Sequence, residues 1–288
     1  MSAVALRETT RLSHFRHVVT DSPVTLVAAA LFVLIVVVAL FGPWLAPFDP
    51  MASDTSQALV PPSRLHPFGT DSLGRDLLSR CIVAARLDLL LAVSAVALSF
   101  VIGATLGAAA GFFGGWFDRI VSRVADTIMA FPLFVLAMGI IAALGNTLAN
   151  IVIATAIINL PFYIRLARAE ANVRRSAGFV ESARLAGNSE WSVLMRHVFP
   201  NLLPPMAVQV SLNMGWAMLN AAGLSFIGLG VRPPTPEWGI MVAEGAQYIV
   251  SGEWWVALFP GACLMLAVFA FNLLGDALRD LLDPRMRT

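Results

Sequence analysis

The sequence predicts an all-α polytopic membrane protein with six transmembrane helices. Hydrophobic residues fill 58% of the 288 positions, charged residues only 13%, and the mean hydropathy is +0.78. Soluble domains do not reach such values. Uncharged runs of about 20 residues recur along the chain, the length a helix needs to cross hydrocarbon. No barrel-like alternation interrupts them, so helices must satisfy the backbone inside lipid.

The first span is expected over Val24–Phe41, between Pro23 and Gly42-Pro43. Arg7, Arg11 and Arg16 precede it as in a secretory signal, but it is long for a signal core. Phe41-Gly-Pro-Trp-Leu is also a poor small-residue cleavage site, so an uncleaved anchor is expected. The segment Trp44–Arg86 begins as a Pro-, Ser- and Asp-rich loop. From Ser72 to Ala85, Leu73, Leu77, Leu78, Cys81 and Ile82 alternate with Arg75, Asp76, Ser79, Arg80 and Arg86. That pattern suits a helix at the outer interface capped by Asp71 or Ser72, or else the polar start of the second span.

The second span, Leu87–Phe113, carries Gly103, Gly107 and Gly111 at four-residue intervals, a face expected against another helix. The third and fourth spans share the uncharged run Thr127–Ile164, which breaks at Gly145-Asn146-Thr147. The fifth runs from about Asn201 to Ile227 and the sixth from Trp254 to Gly275.

Orientation follows from arginine, because the chain has no lysine. Arg64, Arg75, Arg80, Arg86 and Arg232 fall on one side of the six spans, and the other 14 of the 19 arginines on the opposite side. The positive-inside rule therefore puts both termini in the cytoplasm. The chain divides into a tail over 1–23, an anchor with its outer segment over 24–86, a core over 87–280, and a tail over 281–288.

A polar island, Arg165–Pro200, lies in a cytoplasmic loop of this topology. Ser176 can cap a short helix in which Phe179, Ala183 and Ala186 share a face with Val180 beside them. Gly187 suits the left-handed residue that ends it; Asn188 or Ser189 can cap the next helix, with Glu190 near its positive end. Arg174, Arg175, Arg184 and Glu181 would surround the contact face with directional polar groups. The loop therefore reads as a docking surface for a cytoplasmic partner, or as an amphipathic loop resting on its own membrane domain.

Polar residues at bilayer depth are candidates for a pathway: Asn159 in the fourth span and Gln209, Ser211, Asn213 and Asn220 in the fifth. The same residues could hydrogen-bond between helices. Asp126 and Arg123 are spaced for an i,i+3 ion pair, and Asp276, Arg279 and Asp280 for a polar cluster at the inner boundary. On the outer face Glu237, Trp238, Glu244 and Glu253 could receive a partner, while Trp238, Trp254 and Trp255 also fit an aromatic belt. Cys81 and Cys263 lie far apart in sequence without metal-ligand spacing, so neither a disulfide nor a metal is expected. His14, His17, His66 and His197 fall outside the spans and form no triad or ligand spacing, and no phosphate-cradling Gly-rich loop with Lys-Ser/Thr occurs. Span centres lack the carboxylates of an ion-coupled secondary transporter.

Glu181-Ser182-Ala183, then Gly187, then Pro200 resemble the EAA signature of permease subunits of bacterial ATP-binding-cassette importers. The chain departs from it at Ser182, His197 and Phe199, although Arg196-His197 with Pro200-Asn201 looks typical of one subfamily. Further motifs are similar to the dipeptide/oligopeptide/nickel permeases: Ser22-Pro23, His66-Pro67-Phe68-Gly69-Thr70-Asp71-Ser72-Leu73-Gly74-Arg75-Asp76, Arg123-Val124-Ala125-Asp126 with Phe131-Pro132, Leu224 to Gly230, Pro236-Glu237-Trp238-Gly239, and Asn272 to Asp280. The shorter "C" partner of the permease heterodimer is the nearest likeness, with the type I importer permease fold. The resemblance implies that Phe179, Val180, Glu181, Ser182, Ala183, Arg184, Ala186 and Gly187 form a coupling helix seated on an ATPase. It implies a second permease subunit, two cytoplasmic ATPases that bind ATP and Mg, and an external solute-binding protein, in the bacterial inner membrane. No catalytic residue, metal, resident cofactor or nucleic acid is implied for this chain. Peptides are the first cargo expected; nickel or metal chelates, opines and other small solutes are the alternatives.

Overall fold

A computed structural model describes residues 23–282. Segments 1–22 and 283–288, with Arg7, Arg11, Arg16, His14, His17, Arg285 and Arg287, lie outside the described residues. Helix α1 spans Pro23–Leu45, α2 Leu77–Phe113, α3 Gly115–Ala130, α4 Leu133–Leu144 and α5 Leu148–Arg174. They are followed by α6 at Gly178–Leu185, α7 at Glu190–Val193, α8 at Phe199–Phe226, α9 at Trp238–Ala246 and α10 at Trp255–Leu282. Among the described residues the chain is helical and holds one isolated β-bridge, Thr70 with Asp76.

Among the described residues four helices are long and apolar enough to cross a membrane alone: α1, α2, α5 and α10. The expected third span is not one straight helix, because α3 and α4 meet at a 99° bend. Phe131 sits extended before Pro132, as the proline ring demands of its predecessor, and that breaks the helix. The pair makes a fifth, bent candidate. Helix α8, with 28 residues, has the length of a sixth crossing, but Gln209, Ser211, Asn213 and Asn220 dilute its hydropathy. The break at Gly145-Asn146-Thr147 stands: Gly145 has φ +93°, and Thr147 caps α5 by accepting from Asn150 N at 3.3 Å.

The core is the contact of α2 with α5, where the glycine face of α2 lies against protein as expected. A Cβ on Gly107 would stand 2.4 Å from the Ile164 carbonyl oxygen, and one on Gly111 2.2 Å from that of Arg168. Such close approach maximises packing contacts, the main attraction left between helices in lipid. Helices α8 and α10 pack on this pair, α1 lies across α2 and α10, and Phe32 meets Phe271 edge-on at 5.7 Å. Large side chains on outward faces, among them Val33, Val101 and Met265, remain exposed, as lipid contact requires.

Two element boundaries differ from expectation. Of the two readings of Ser72–Ala85, the separate interfacial helix fails and the polar start of the second span holds: α2 starts at Leu77 and runs unbroken into the span, capped by Asp76, whose Oδ2 accepts from Ser79 N at 2.8 Å. Asp71 is instead used in a tight turn, its Oδ1 accepting from Leu73 N and Arg75 N, with Gly74 at φ +73°. The polar island is not a loop throughout either, because α5 continues to Arg174. At its far end a π-helical turn, Leu194–Val198, joins α7 to α8. The wide turn precedes Pro200, whose ring and missing N–H forbid regular α bonding back to the preceding turn.

Candidate functional site

The C-terminal end of α2 carries α6, a short helix braced from several sides. Its N-cap is Ala177 in extended conformation rather than Ser176, with no side-chain cap bond. Its C-terminus closes as a Schellman motif: Asn188 N donates to Ala183 O at 3.3 Å and Gly187 N to Arg184 O at 2.9 Å, with Gly187 at φ +82°. Ser189 caps α7, accepting from Ser192 N, and Glu190 sits in its first turn.

The expected contact face is split differently. Val180 and Ala183 point into the chain's own core, whereas Phe179, Glu181, Ser182, Ala186 and Gly187 are exposed. Leu185, absent from the expected set, is 90% exposed and the most prominent apolar group on the helix. A leucine in so polar a segment, two residues before the helix-ending glycine, was its sequence signal.

Arg184 is an internal brace rather than a free contact. It grips Glu190 with both Nε (2.8 Å) and Nη2 (3.0 Å), donates to the Arg175 carbonyl at 3.3 Å, and lies over the Phe112 ring at 5.4 Å. Hydrogen bonding to Arg184 holds the Glu190 carboxyl below its usual value, and the same bond raises the guanidinium. Arg174 is likewise engaged, paired with Glu170 one turn earlier. Trp191 stacks parallel on Phe113, centroids 6.4 Å apart. Nearby, α3 is clipped to α5 by Arg168 with Asp118 and by Arg165 with Asp126 at 2.8 Å. Asp126 thus pairs across helices and not with Arg123.

At the other end of α2, residues 46–76 and α9 form a ledge of buried charge. Arg80 is its hub: Nη1 donates to the Pro50 and Pro234 carbonyls at 3.1 and 3.3 Å, and Nε stands 3.6 Å from Asp71. Asp71 also accepts from Arg75 Nε at 2.6 Å, while Glu244, about a third exposed, faces Arg75 and Arg80 at 3.7 and 3.8 Å. His66 is buried between Asp76 (2.8 Å) and Gln57 (3.0 Å).

Glu237 and Trp238, expected on a docking face, are interior. Glu237 caps α9 by accepting from Gly239 N and Ile240 N at 3.0 and 2.8 Å; burial pushes its carboxyl up. Trp238 is held by Asp88 Oδ2 on its backbone N–H (3.1 Å) and by the Cys81 carbonyl on Nε1 (3.0 Å). The helix start has three N–H groups to satisfy, and two buried carboxyls do so. Asp88, at the polar end of an apolar helix, was not singled out in the sequence. Of the outer candidates Glu244 keeps a carboxylate about a third exposed beside this ledge, Glu253 is half-buried with its Oε2 shut away from solvent, and Trp254 is half exposed where Trp255 is buried.

Asn159, Ser211, Asn213 and Asn220 are buried between helices, and Gln209 is partly so. Ser211 Oγ donates to the Phe271 carbonyl of α10 at 2.7 Å, Asn159 Nδ2 to Thr155 O at 2.9 Å, and Gln209 Nε2 to Asn213 Oδ1 at 2.9 Å. Nδ2 of Asn213 and of Asn220 lacks a hydrogen-bond partner.

Residues 103–288 match the family described as binding-protein-dependent transport system inner membrane component, and residues 15–62 match the N-terminal TM domain of oligopeptide transport permease C. The chain is 44% identical over 286 residues to a probable D,D-dipeptide transport system permease protein of Escherichia coli (strain K12), covering 99% of this chain and 96% of that one. It is 45% identical over 260 residues to a di/tripeptide transport system permease protein of Pseudomonas aeruginosa, 88% of this chain and 86% of the relative. A glutathione transport system permease protein of Pectobacterium atrosepticum is 41% identical over 264 residues, 91% and 87% of the two chains. The long apolar helices, the braced surface helix and a likeness that runs the length of the chain lead to one conclusion: the chain belongs to the family of binding-protein-dependent transport system inner membrane components.

Proposed function

We propose that this chain is the C-type half of a heterodimeric permease that imports peptides at the expense of ATP. The α6 end faces the cytoplasm, as the arginine asymmetry requires, and the ledge faces outward in a bacterial inner membrane. The single observation that carries the coupling role is α6 itself: a stiff helix, braced to α2, α5 and α7, that leaves Leu185 and Phe179 uncovered. Such a helix can seat in a cytoplasmic ATPase and pass its closure to the spans. Two ATPase subunits bind ATP and Mg and hydrolyse the nucleotide, so this chain contributes motion rather than chemistry. An external binding protein meets the ledge beside Glu244 and delivers cargo.

The peptide reading is supported by the names of the relatives, two of which concern dipeptides or tripeptides and one glutathione. The Nδ2 groups of Asn213 and Asn220 on α8, which have no hydrogen-bond partner, are the groups best suited to line a pathway once the second permease completes it. The test is reconstitution of the chain with its second permease, ATPases and binding protein in vesicles. Dipeptide uptake with ATP hydrolysis stimulated by loaded binding protein is expected. Uptake of a nickel chelate alone would overturn the cargo, and failure to co-purify with any ATPase would overturn the coupling reading as well.

A further inference from the structure

Helix α3 sorts its side chains into three strips along its length. Val121 and Ala125 are buried with Ala110 of α2 and Ile164 of α5, while the two acidic residues of the helix, Asp118 and Asp126, are taken by Arg168 and Arg165 of α5. A second strip is apolar and uncovered. Trp116 is 76% exposed, Ile120 and Val124 follow it at four-residue spacing, 40% and 49% exposed, and Phe117 lies beside them. At 3.6 residues per turn, Arg119 and Arg123 form a third strip next to Trp116. Both are exposed, and neither has an ion-pair partner among the described residues.

The geometry lays this helix along the inner surface of the membrane. The bend at Phe131-Pro132 sets α3 at 99° to α4, and α4 climbs through the bilayer, because Asn146 just beyond it touches the 228–230 turn that follows α8. Asp118 and Asp126 are about 12 Å apart along α3, whereas their partners Arg168 and Arg165 are about 4.5 Å apart along α5, as for helices that cross steeply. The level is fixed as well: Ile164, on which α3 rests, ends the uncharged run of α5, and Arg165 follows it.

We propose that α3 is an interfacial helix that recruits anionic phospholipid. Trp116, Ile120 and Val124 sink into the boundary between acyl chains and headgroups of the inner leaflet, where tryptophan is favoured, and Arg119 and Arg123 beside them hold the acidic headgroups. Lipid fits this face because an apolar strip and a cationic strip run parallel at the depth where acyl chains meet phosphates, with both carboxylates of the helix already engaged on α5. The inference uses the orientation given above to name the leaflet, and needs neither the cargo nor the coupling role.

The test places the assembled complex in phosphatidylcholine nanodiscs that contain a small share of phosphatidylglycerol with a nitroxide on its acyl chain or, in a parallel set, of phosphatidylcholine labelled in the same way. Quenching of Trp116 is read as the difference in fluorescence between wild type and Trp116→Phe. Quenching by both labels, with a several-fold excess for the anionic one, is expected. The double variant Arg119→Gln/Arg123→Gln should lose the excess and keep the quenching by labelled phosphatidylcholine. Added salt should remove the excess from the wild type by screening, a measurement that stands if the variant assembles poorly. Equal quenching by the two labels in wild type, or an excess that survives in the variant and in salt, would overturn the headgroup site. Absence of Trp116 quenching by either label would show the strip covered by another subunit and overturn the proposal as a whole.

Discussion

The two ends of α2 use charge in opposite ways. At the ledge, Asp71, Arg75, Asp76 and Arg80 are each at most 4% exposed, and they tie segments as distant as Pro50, Pro234 and Glu244 to one helix start. At the α6 end, Arg184 with Glu190 and Arg165 with Asp126 lie in the open. Buried charges cannot change partners without uncompensated desolvation, whereas exposed pairs are screened and are remade at little cost. The ledge is therefore built as a fixed frame, and the α6 end as a surface whose polar contacts can rearrange when a partner arrives.

Arg80→Met should test this contrast most strongly. It removes one of the two guanidinium partners of Asp71 and the donor to two part-buried carbonyls, an expected loss of about 1–3 kcal/mol, measured as a lowered melting temperature or failed assembly. Arg184→Met should leave the melting temperature within error of wild type, and equal losses in the two variants would erase the contrast. Gly187→Val comes next: a β-branched residue at φ +82° costs about 1–2 kcal/mol in local strain and reorients α6. Uptake and stimulated ATP hydrolysis should disappear while membrane insertion stays normal. Leu185→Asp should weaken ATPase co-purification, by roughly tenfold if Leu185 is a central contact, without moving the melting temperature.

The smallest effects concern pH, and their signs oppose. Glu237 has its carboxyl raised by burial, so its stabilising neutral form is complete at low pH and is lost as pH climbs through the folded value. Alkaline conditions should loosen the ledge, less so in Glu237→Gln, by hydrogen exchange of the α9 amides. Glu190 is held below its ordinary 4.5 by Arg184, so that brace is present above this value and fades as pH falls through the lower folded one. Exchange at α7 should rise on acidification and with added salt, and an unchanged α7 under both would remove the ion pair as a brace.

Much of the fold was legible because lipid imposes simple rules. Charge-free runs marked the spans, and the glycine interval of α2 correctly announced a close protein contact. What escaped were places where a helix differs from its hydropathy. Proline at 132 split a span that reads as continuous, and Asp76 rather than Asp71 became the cap because Asp71 was already committed to the turn before it. At the candidate site, sequence found α6 and its glycine stop, but the direction of its faces depended on what else packed there. Val180 turned inward and Leu185 outward for that reason. Arg184, Glu237 and Trp238 look like surface residues by type; their partners, Glu190, the α9 amides and Asp88, become visible only in three dimensions.

One further property of α2 follows from its length and composition. Its 37 residues reach about 55 Å at the usual rise per residue, with Arg80 among the ledge charges near one end and Phe112 beneath Arg184 near the other. The other long helices each contain proline: Pro43 in α1, Pro161 in α5, Pro204 and Pro205 in α8, Pro260 in α10. Helix α2 has none. Where its neighbours can hinge, this helix behaves as a connecting rod, so a displacement imposed at one surface of the membrane arrives at the other undiminished by bending.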